Sequence, residues 1–270
     1  MNVLVVGVRF QAGGKIYHFD ATPFRDRIRL GDRVIVETHR GPQVVEVVQV
    51  LENPEPPKNG EWKPVLRLAT PRDLLLRQYW EQKETEAVVN CQAKVRAARL
   101  SGVKVVAAEF NLSGDQLTFL YTYEGDGKLN LSPVRKAMGD LYNAEVTMRK
   151  IGPRDAARIM GGMGACGLET RCCSLYMGES CSITIKMAKA QNVSLASSEI
   201  TGMCGRLRCC LRHEYPIYEE LLKGLPKVKK RVVTPMGEGK VIKVNALKGT
   251  VLVKLEESIK EFHRDEVRLP

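Results

Sequence analysis

The feature that most constrains the fold is a change of period. A helical pattern runs unbroken from Thr70-Pro71 to Leu100, and strand-like alternation lies on both sides of it. Thr70 supplies an N-cap, Pro71 suits the first turn, and Asp73 is favoured at the positive helix end. Gly102 follows as a candidate C-cap. The segment is about 30 residues, or roughly 45 Å of helix. Leu74, Leu75, Tyr79, Trp80, Val88, Val89, Val95 and Ala98 supply its apolar positions, and Cys91 reads as a buried core thiol.

Upstream, Val3, Val5, Gly7 and Arg9 oppose Leu4, Val6, Val8 and Phe10, with a turn at Gly13-Gly14 and more alternation over Lys15–Phe19. A second hairpin joins Arg33–Glu37 to Val44–Val48 through His39–Pro42, and Leu30-Gly-Asp32 reads as a strand-initiating turn. A small antiparallel β-barrel or curled sheet is the expected product. Glu52–Pro64, with four prolines, reads as a linker or extended edge segment.

Downstream comes a β-β-α-β run. Lys104–Phe110 pairs with Gln116–Tyr123 across Asn111–Asp115. Ser132-Pro133 starts a helix with Val134, Met138 and Leu141 on one face, and Glu145–Arg149 is the third strand. Gly152-Pro-Arg-Asp155 opens a short helix ending at Gly161-Gly162. Further helical stretches are expected at the end of Cys181–Ala190, after Ser197 or Ser198, and over Pro216–Lys223. Residues 228–270 return to short strands with a turn at Pro235–Gly239, which suggests an SH3-like small β-barrel. The fold class is therefore α+β. Three domains are expected: a barrel-like 1–69, a cysteine-rich α+β core 70–227, and an SH3-like 228–270.

Seven of the eight cysteines fall within Gly161–Cys210, in two blocks that repeat each other. Gly162-Met-Gly-Ala-Cys166-Gly leads through Leu-Glu-Thr-Arg to Cys172-Cys173; Gly202-Met-Cys204-Gly leads through Arg-Leu-Arg to Cys209-Cys210. Cys181 lies between the blocks. The chain has no signal-peptide pattern at Met1–Arg9 and no stretch of membrane-spanning length, so a cytoplasmic location with reduced thiols is expected. At 270 residues a core is available without disulfide staples. Thiolate sulfur suits zinc or iron–sulfur iron. The C-x5-C and C-x4-C spacings and the adjacent pairs fit a single tetrahedral zinc less well than a [4Fe–4S] cluster, which needs four thiolates. Zinc, a redox dithiol and buried thiols remain as alternatives, and His213 is either a ligand or a helix-surface histidine.

A formal charge of +11 suggests a polyanionic partner. The densest basic run is Lys227, Lys229, Lys230 and Arg231, the candidate nucleic-acid contact, with Arg206, Arg208 and Arg212 as a second group. Aromatics at 6% leave few stacking platforms. Gly161-Gly-Met-Gly164 matches the GxxG loop that clamps nucleic-acid backbones. No P-loop, HExxH or GxSxG pattern is present, so no enzyme is expected.

Ile151–Asp155, Met160–Gly167, Cys172-Cys173, Ile185–Lys189 with Gln191-Asn192, and Thr201–Leu207 with Cys209-Cys210 resemble the signature of the stage 0 sporulation YaaT (RicT) family. These proteins carry the polymerase-suppressor-type C-terminal domain. The resemblance takes in the first strands, the long helix and the β-β-α-β layer, and so reaches to about Tyr215. It implies a cytoplasmic regulatory adaptor without catalysis of its own. It further implies small helical partners of the YlbF and YmcA type, [4Fe–4S] clusters, and direction of RNase Y in mRNA processing, with sporulation as the role most tied to the host. Carried over residue by residue, the implied cluster ligands are Cys166, Cys172, Cys173, Cys204, Cys209 and Cys210.

Overall fold

The alternating N-terminal residues form five antiparallel strands: β1 (Leu4–Arg9), β2 (Ile16–Asp20), β3 (Arg33–Thr38), β4 (Gly41–Glu52) and β5 (Val65–Leu68), in the order β2-β1-β4-β3-β5. The computed structural model describes residues 3–10, 14–38, 41–55, 57, 60–125, 127, 129–177 and 182–270. Parts of the two expected hairpin turns, Gly13 and His39-Arg40, and also Cys181, lie outside these. The chain divides into two compact units, 1–179 and 180–270.

Leu4, Val6 and Val8 project into one core with Val34, Val36, Val45, Val47 and Val65, as a strand period of two dictates. The expected barrel does not close. Among the described residues, a single bridge joins the two edges, from Asp20 of β2 to Pro64 just before β5, where Asp20 N–H donates to the Lys63 carbonyl at 2.8 Å. Proline has no N–H to extend a ladder, so the sheet curls with its edges touching at one point.

Helix α1 (Pro71–Ala97) begins as its sequence dictates. Thr70 and Asp73 form a reciprocal capping box, and Arg67 forks onto the Asp73 carboxylate at 2.5 and 2.9 Å, which holds that carboxyl well below its ordinary range. The end differs from expectation. Ala98 is the C-cap and Arg99 turns left-handed at φ +52°, so Gly102 does not cap the helix. Gly102 instead lies in the turn just before the next strand, where a Cβ would lie 2.5 Å from the Glu124 carbonyl oxygen. The helix also buries less than its composition suggests: Ala87, Cys91 and Val95 enter the core, while Leu75 and Val89 are exposed.

Strands β6 (Val103–Phe110), β7 (Gln116–Tyr123) and β8 (Glu145–Lys150) form a sheet in that order. β6 and β7 are antiparallel, and β8 joins β7 in parallel through α2 (Ser132–Tyr142). Phe110, Leu117, Phe119, Val134 and Met138 pack with Ala87, Cys91 and Val95 beneath the two helices. Leu141, expected on the buried face of α2, is instead 55% exposed. Two short helices, α3 (Pro153–Met160) and α4 (Cys172–Leu175), complete the unit.

The second unit opens with α5 (Ile185–Ala190), α6 (Ser197–Ile200) and α7 (Cys210–Lys223). Met187 and Ala188 pack against Leu211 and Tyr215 in a small core of their own. α7 begins six residues before the expected Pro216 and carries that proline inside it. Four antiparallel strands follow, β9 (Arg231–Thr234), β10 (Gly237–Asn245), β11 (Thr250–Lys254) and β12 (Ile259–His263), in the order β12-β11-β10-β9. Val232, Val241, Val244, Val251, Val253 and Phe262 form their core. This sheet does not close either. Among the described residues, β9 and β12 are not paired, and the β9 edge is met only by a bridge from Arg268 to Val233.

Candidate functional site

The two cysteine blocks, one in each unit, fold alike. In the first, the Gly167 N–H donates to the Gly164 carbonyl at 3.1 Å and the Gly164 N–H donates to the Leu168 carbonyl at 2.8 Å. In the second, Gly205 donates to Gly202 at 2.9 Å and Gly202 donates to Arg206 at 2.8 Å. The fourth residue of each turn is left-handed, Gly167 at φ +88° and Gly205 at φ +72°, a conformation glycine adopts without steric cost. The third residue is the lone cysteine. Its thiol folds back over the first glycine: a Cβ on Gly164 would lie 3.4 Å from Cys166 Sγ, and one on Gly202 would lie 3.8 Å from Cys204 Sγ.

A wider pair of bonds closes each loop. Arg171 N–H donates to the Gly162 carbonyl at 3.1 Å, and Arg208 N–H donates to the Ile200 carbonyl at 2.8 Å. The extra residue of the first block is absorbed between these inner and outer bonds. The same two arginines clamp the loops with their side chains. Arg171 Nε donates to the Met163 carbonyl at 3.0 Å and its guanidinium reaches the Ala157 carbonyl at 2.7 Å. Arg208 Nε donates to the Thr201 carbonyl at 3.2 Å and its guanidinium reaches the Ser198 carbonyl at 2.7 Å. Met163 and Thr201 are equivalent, each preceding the first glycine of its turn. Cys172-Cys173 follows one arginine and Cys209-Cys210 the other, each pair opening a helical turn: Ser174 N–H donates to Arg171 O at 2.9 Å and Leu211 N–H to Arg208 O at 3.3 Å.

Sequence reasoning singled out the thiols, read Arg208 only as part of a basic group, and passed over Arg171. The signal was present, since an arginine directly precedes each Cys-Cys pair. The two glycines that begin the GxxG match, Gly161 and Gly162, are left-handed at φ +60° and +87° and belong to the base of the first thiol loop.

No disulfide links the seven described cysteines; Cys166 is exposed and the other five block cysteines are half-buried. Among the described residues, no three His, Cys, Asp or Glu side chains gather closely enough to hold a metal ion. Each block thus displays soft sulfur donors on a hydrogen-bonded turn and the head of a helix, without bringing its three thiols onto one point. Cys91 is different. It is fully buried in the α1 core, and burial pushes its thiol up to about 11, as suits a structural cysteine. His213 lies on the exposed face of α7. Lys227, Lys229 and Lys230 occupy the exposed turn before β9, and Arg231 begins that strand. Among the described residues, no helix is long and apolar enough to cross a membrane.

Comparison with known proteins follows this division. Residues 63–151 match the PSP1 C-terminal conserved region, and residues 182–225 match the third domain of PSP1-like proteins. The second cysteine block lies inside the latter match, and the first lies between the two. The chain is 36% identical over 268 residues to the stage 0 sporulation protein YaaT of Bacillus subtilis (strain 168), covering 97% of this chain and 94% of the relative. No solved structure matches.

Proposed function

This chain belongs to the YaaT family of PSP1-type proteins, and from that premise we propose that it is a cytoplasmic regulatory adaptor, without catalysis of its own, that carries a [4Fe–4S] cluster on its block cysteines. It acts on mRNA processing by an RNase Y-type endoribonuclease through small helical partners of the YlbF and YmcA type. The observation that carries this reading is the repeated thiol turn. Two loops in two separate units place a lone thiol over a glycine, clamp it with an arginine, and follow it with a Cys-Cys pair at a helix start.

The donor chemistry fits the group, because iron–sulfur clusters are held by thiolates. Cys166, Cys172 and Cys173 in one block, and Cys204, Cys209 and Cys210 in the other, are the residues that would hold it. A cluster needs four thiolates and each block offers three, so the fourth ligand comes from outside any single block. When bound, the cluster supplies an oxygen- and redox-sensitive centre. The chain's own part is to hold the lone thiols on fixed turns: Gly167 and Gly205 take the left-handed position of each turn, and Arg171 and Arg208 keep each loop closed. Zinc is the alternative occupant.

The test is anaerobic purification with iron, sulfide and zinc analysis and a visible spectrum. Iron and sulfide in matching amounts with broad visible absorbance are expected, and Cys166→Ser with Cys204→Ser should abolish both while circular dichroism stays unchanged. Stoichiometric zinc without sulfide, or undiminished iron in the double variant, would overturn the assignment.

A further inference from the structure

The register of the C-terminal sheet sets three cations in one line. Arg231 on β9 stands opposite Lys240 on β10, and Lys240 stands opposite Lys254 on β11. Their sequence neighbours Val232, Val241 and Val253 are buried, so alternation turns all three cationic side chains to the exposed face. Strands lie about 4.8 Å apart, so the line spans roughly 10 Å. Like charges directly opposite across strands are destabilising. Among the described residues, none of the three has an ion-pair partner. Of the acidic residues on these strands, Glu238 stands two residues before Lys240 on the same face and opposite Val233, while Glu261 stands opposite Leu252 and accepts the Thr250 hydroxyl.

A second observation points to the same place. The turn leading into β9 is closed by Lys230 N–H donating to the Lys227 carbonyl at 3.1 Å, and it is tied to β10 by Lys229 N–H donating to the Val241 carbonyl at 2.8 Å. Lys229 sits left-handed at φ +74°, a sterically costly conformation for a residue with a Cβ. Glycine would relieve that cost and lose the charge. Backbone strain and cross-strand repulsion are thus both tolerated along one exposed cationic edge.

We propose that this face, along Arg231, Lys240 and Lys254 with the Lys227–Lys230 turn, binds the phosphate backbone of single-stranded RNA without reading its sequence. A flexible single strand can adjust the spacing of successive phosphates to this short row of cations. The row holds no aromatic ring on which a base could stack, so the contact is to the backbone. The binding is independent of any metal on the cysteine blocks.

The experiment measures fluorescence anisotropy of a labelled mixed-sequence single-stranded RNA against the full chain over a salt series. Three phosphate contacts contribute about 2 to the slope of log K against log salt, or about 16-fold in affinity between roughly 50 and 200 mM. Arg231→Ala with Lys240→Ala and Lys254→Ala should flatten the slope by about 2. It should leave the melting temperature unchanged or raised, because it removes repulsion. Should that variant fail to fold, Lys240→Gln with Lys254→Gln keeps the strand side chains and should flatten the slope by about 1.4. Absence of RNA binding at low salt, or an unchanged slope in the folded variants, would overturn the proposal. So would polyglutamate binding the face as tightly as RNA, which would make the partner an acidic protein instead.

Discussion

In the first cysteine block the Cys172-Cys173 pair opens a helix of four residues, whereas in the second the Cys209-Cys210 pair stands at the head of a helix that runs to Lys223. The turns are otherwise alike: a glycine, a thiol two residues on, a left-handed glycine, and an arginine that bonds the carbonyl before the first glycine. What differs is how each turn is anchored. The second is held by Leu211 and Tyr215, buried against Met187 and Ala188. The first relies on polar ties to α3, from Arg171 to the Ala157 carbonyl and from Ser174 Oγ to the Arg158 carbonyl at 2.8 Å. A turn made by bonds within about ten residues recurs in two settings because its determinants are local, while its anchoring depends on whatever core is near.

The largest effect that would separate the blocks is expected from Leu211→Ala. Emptying a buried leucine site costs about 2–5 kcal/mol. Chemical denaturation followed by hydrogen exchange should show the loss in α7 and its small core, with the first block's amides unchanged. Equal loss in both blocks would mean that their anchoring is shared. Next come Arg171→Ala and Arg208→Ala. Each removes charge-assisted bonds to two carbonyls, a loss of about 1.5–3 kcal/mol per loop. Exchange at Gly164 and Gly167 should rise more for Arg171→Ala than exchange at Gly202 and Gly205 does for Arg208→Ala, since the second loop is also backed by the buried Leu211 and Tyr215.

Gly167→Ala and Gly205→Ala sharpen the likeness instead. Neither added Cβ would meet an atom within 4 Å, so each substitution costs only backbone strain, about 1–2 kcal/mol, and the two costs should match. At neutral pH the smallest effect belongs to Cys91, upstream of both blocks. The buried Cys91 thiol is raised from 9.0 to about 11, so between those values the unfolded chain releases a proton that the folded chain keeps. Stability from this group is therefore complete below pH 9 and declines as pH rises towards 11. Cys91→Val should abolish that decline in pH-dependent thermal melts.

Much of the fold was legible because its signals are local. The Thr70–Asp73 capping box, Pro71 and the alternating strands of the N-terminal and C-terminal sheets are properties of a few neighbouring residues. Gly102 was misread because its role is a close approach to Glu124 across a strand pair, which no helix-end pattern encodes. Leu141 and Leu75 were misread because periodicity marks an apolar face but not whether a neighbour covers it. The thiols were legible by their repetition. The arginine clamps were not, because their acceptors are backbone carbonyls, which every residue has and no sequence distinguishes.

The sequence by itself determined the α+β order of elements, the paired cysteine blocks and the excess of positive charge. Residue type and short spacing suffice to fix these. Only the tertiary structure decided that the sheets curl without closing, that Cys91 is core while the block thiols stay accessible, and that Arg231, Lys240 and Lys254 share one row. Edge contact, burial and register each depend on residues far apart in sequence, brought together by the cores beneath them.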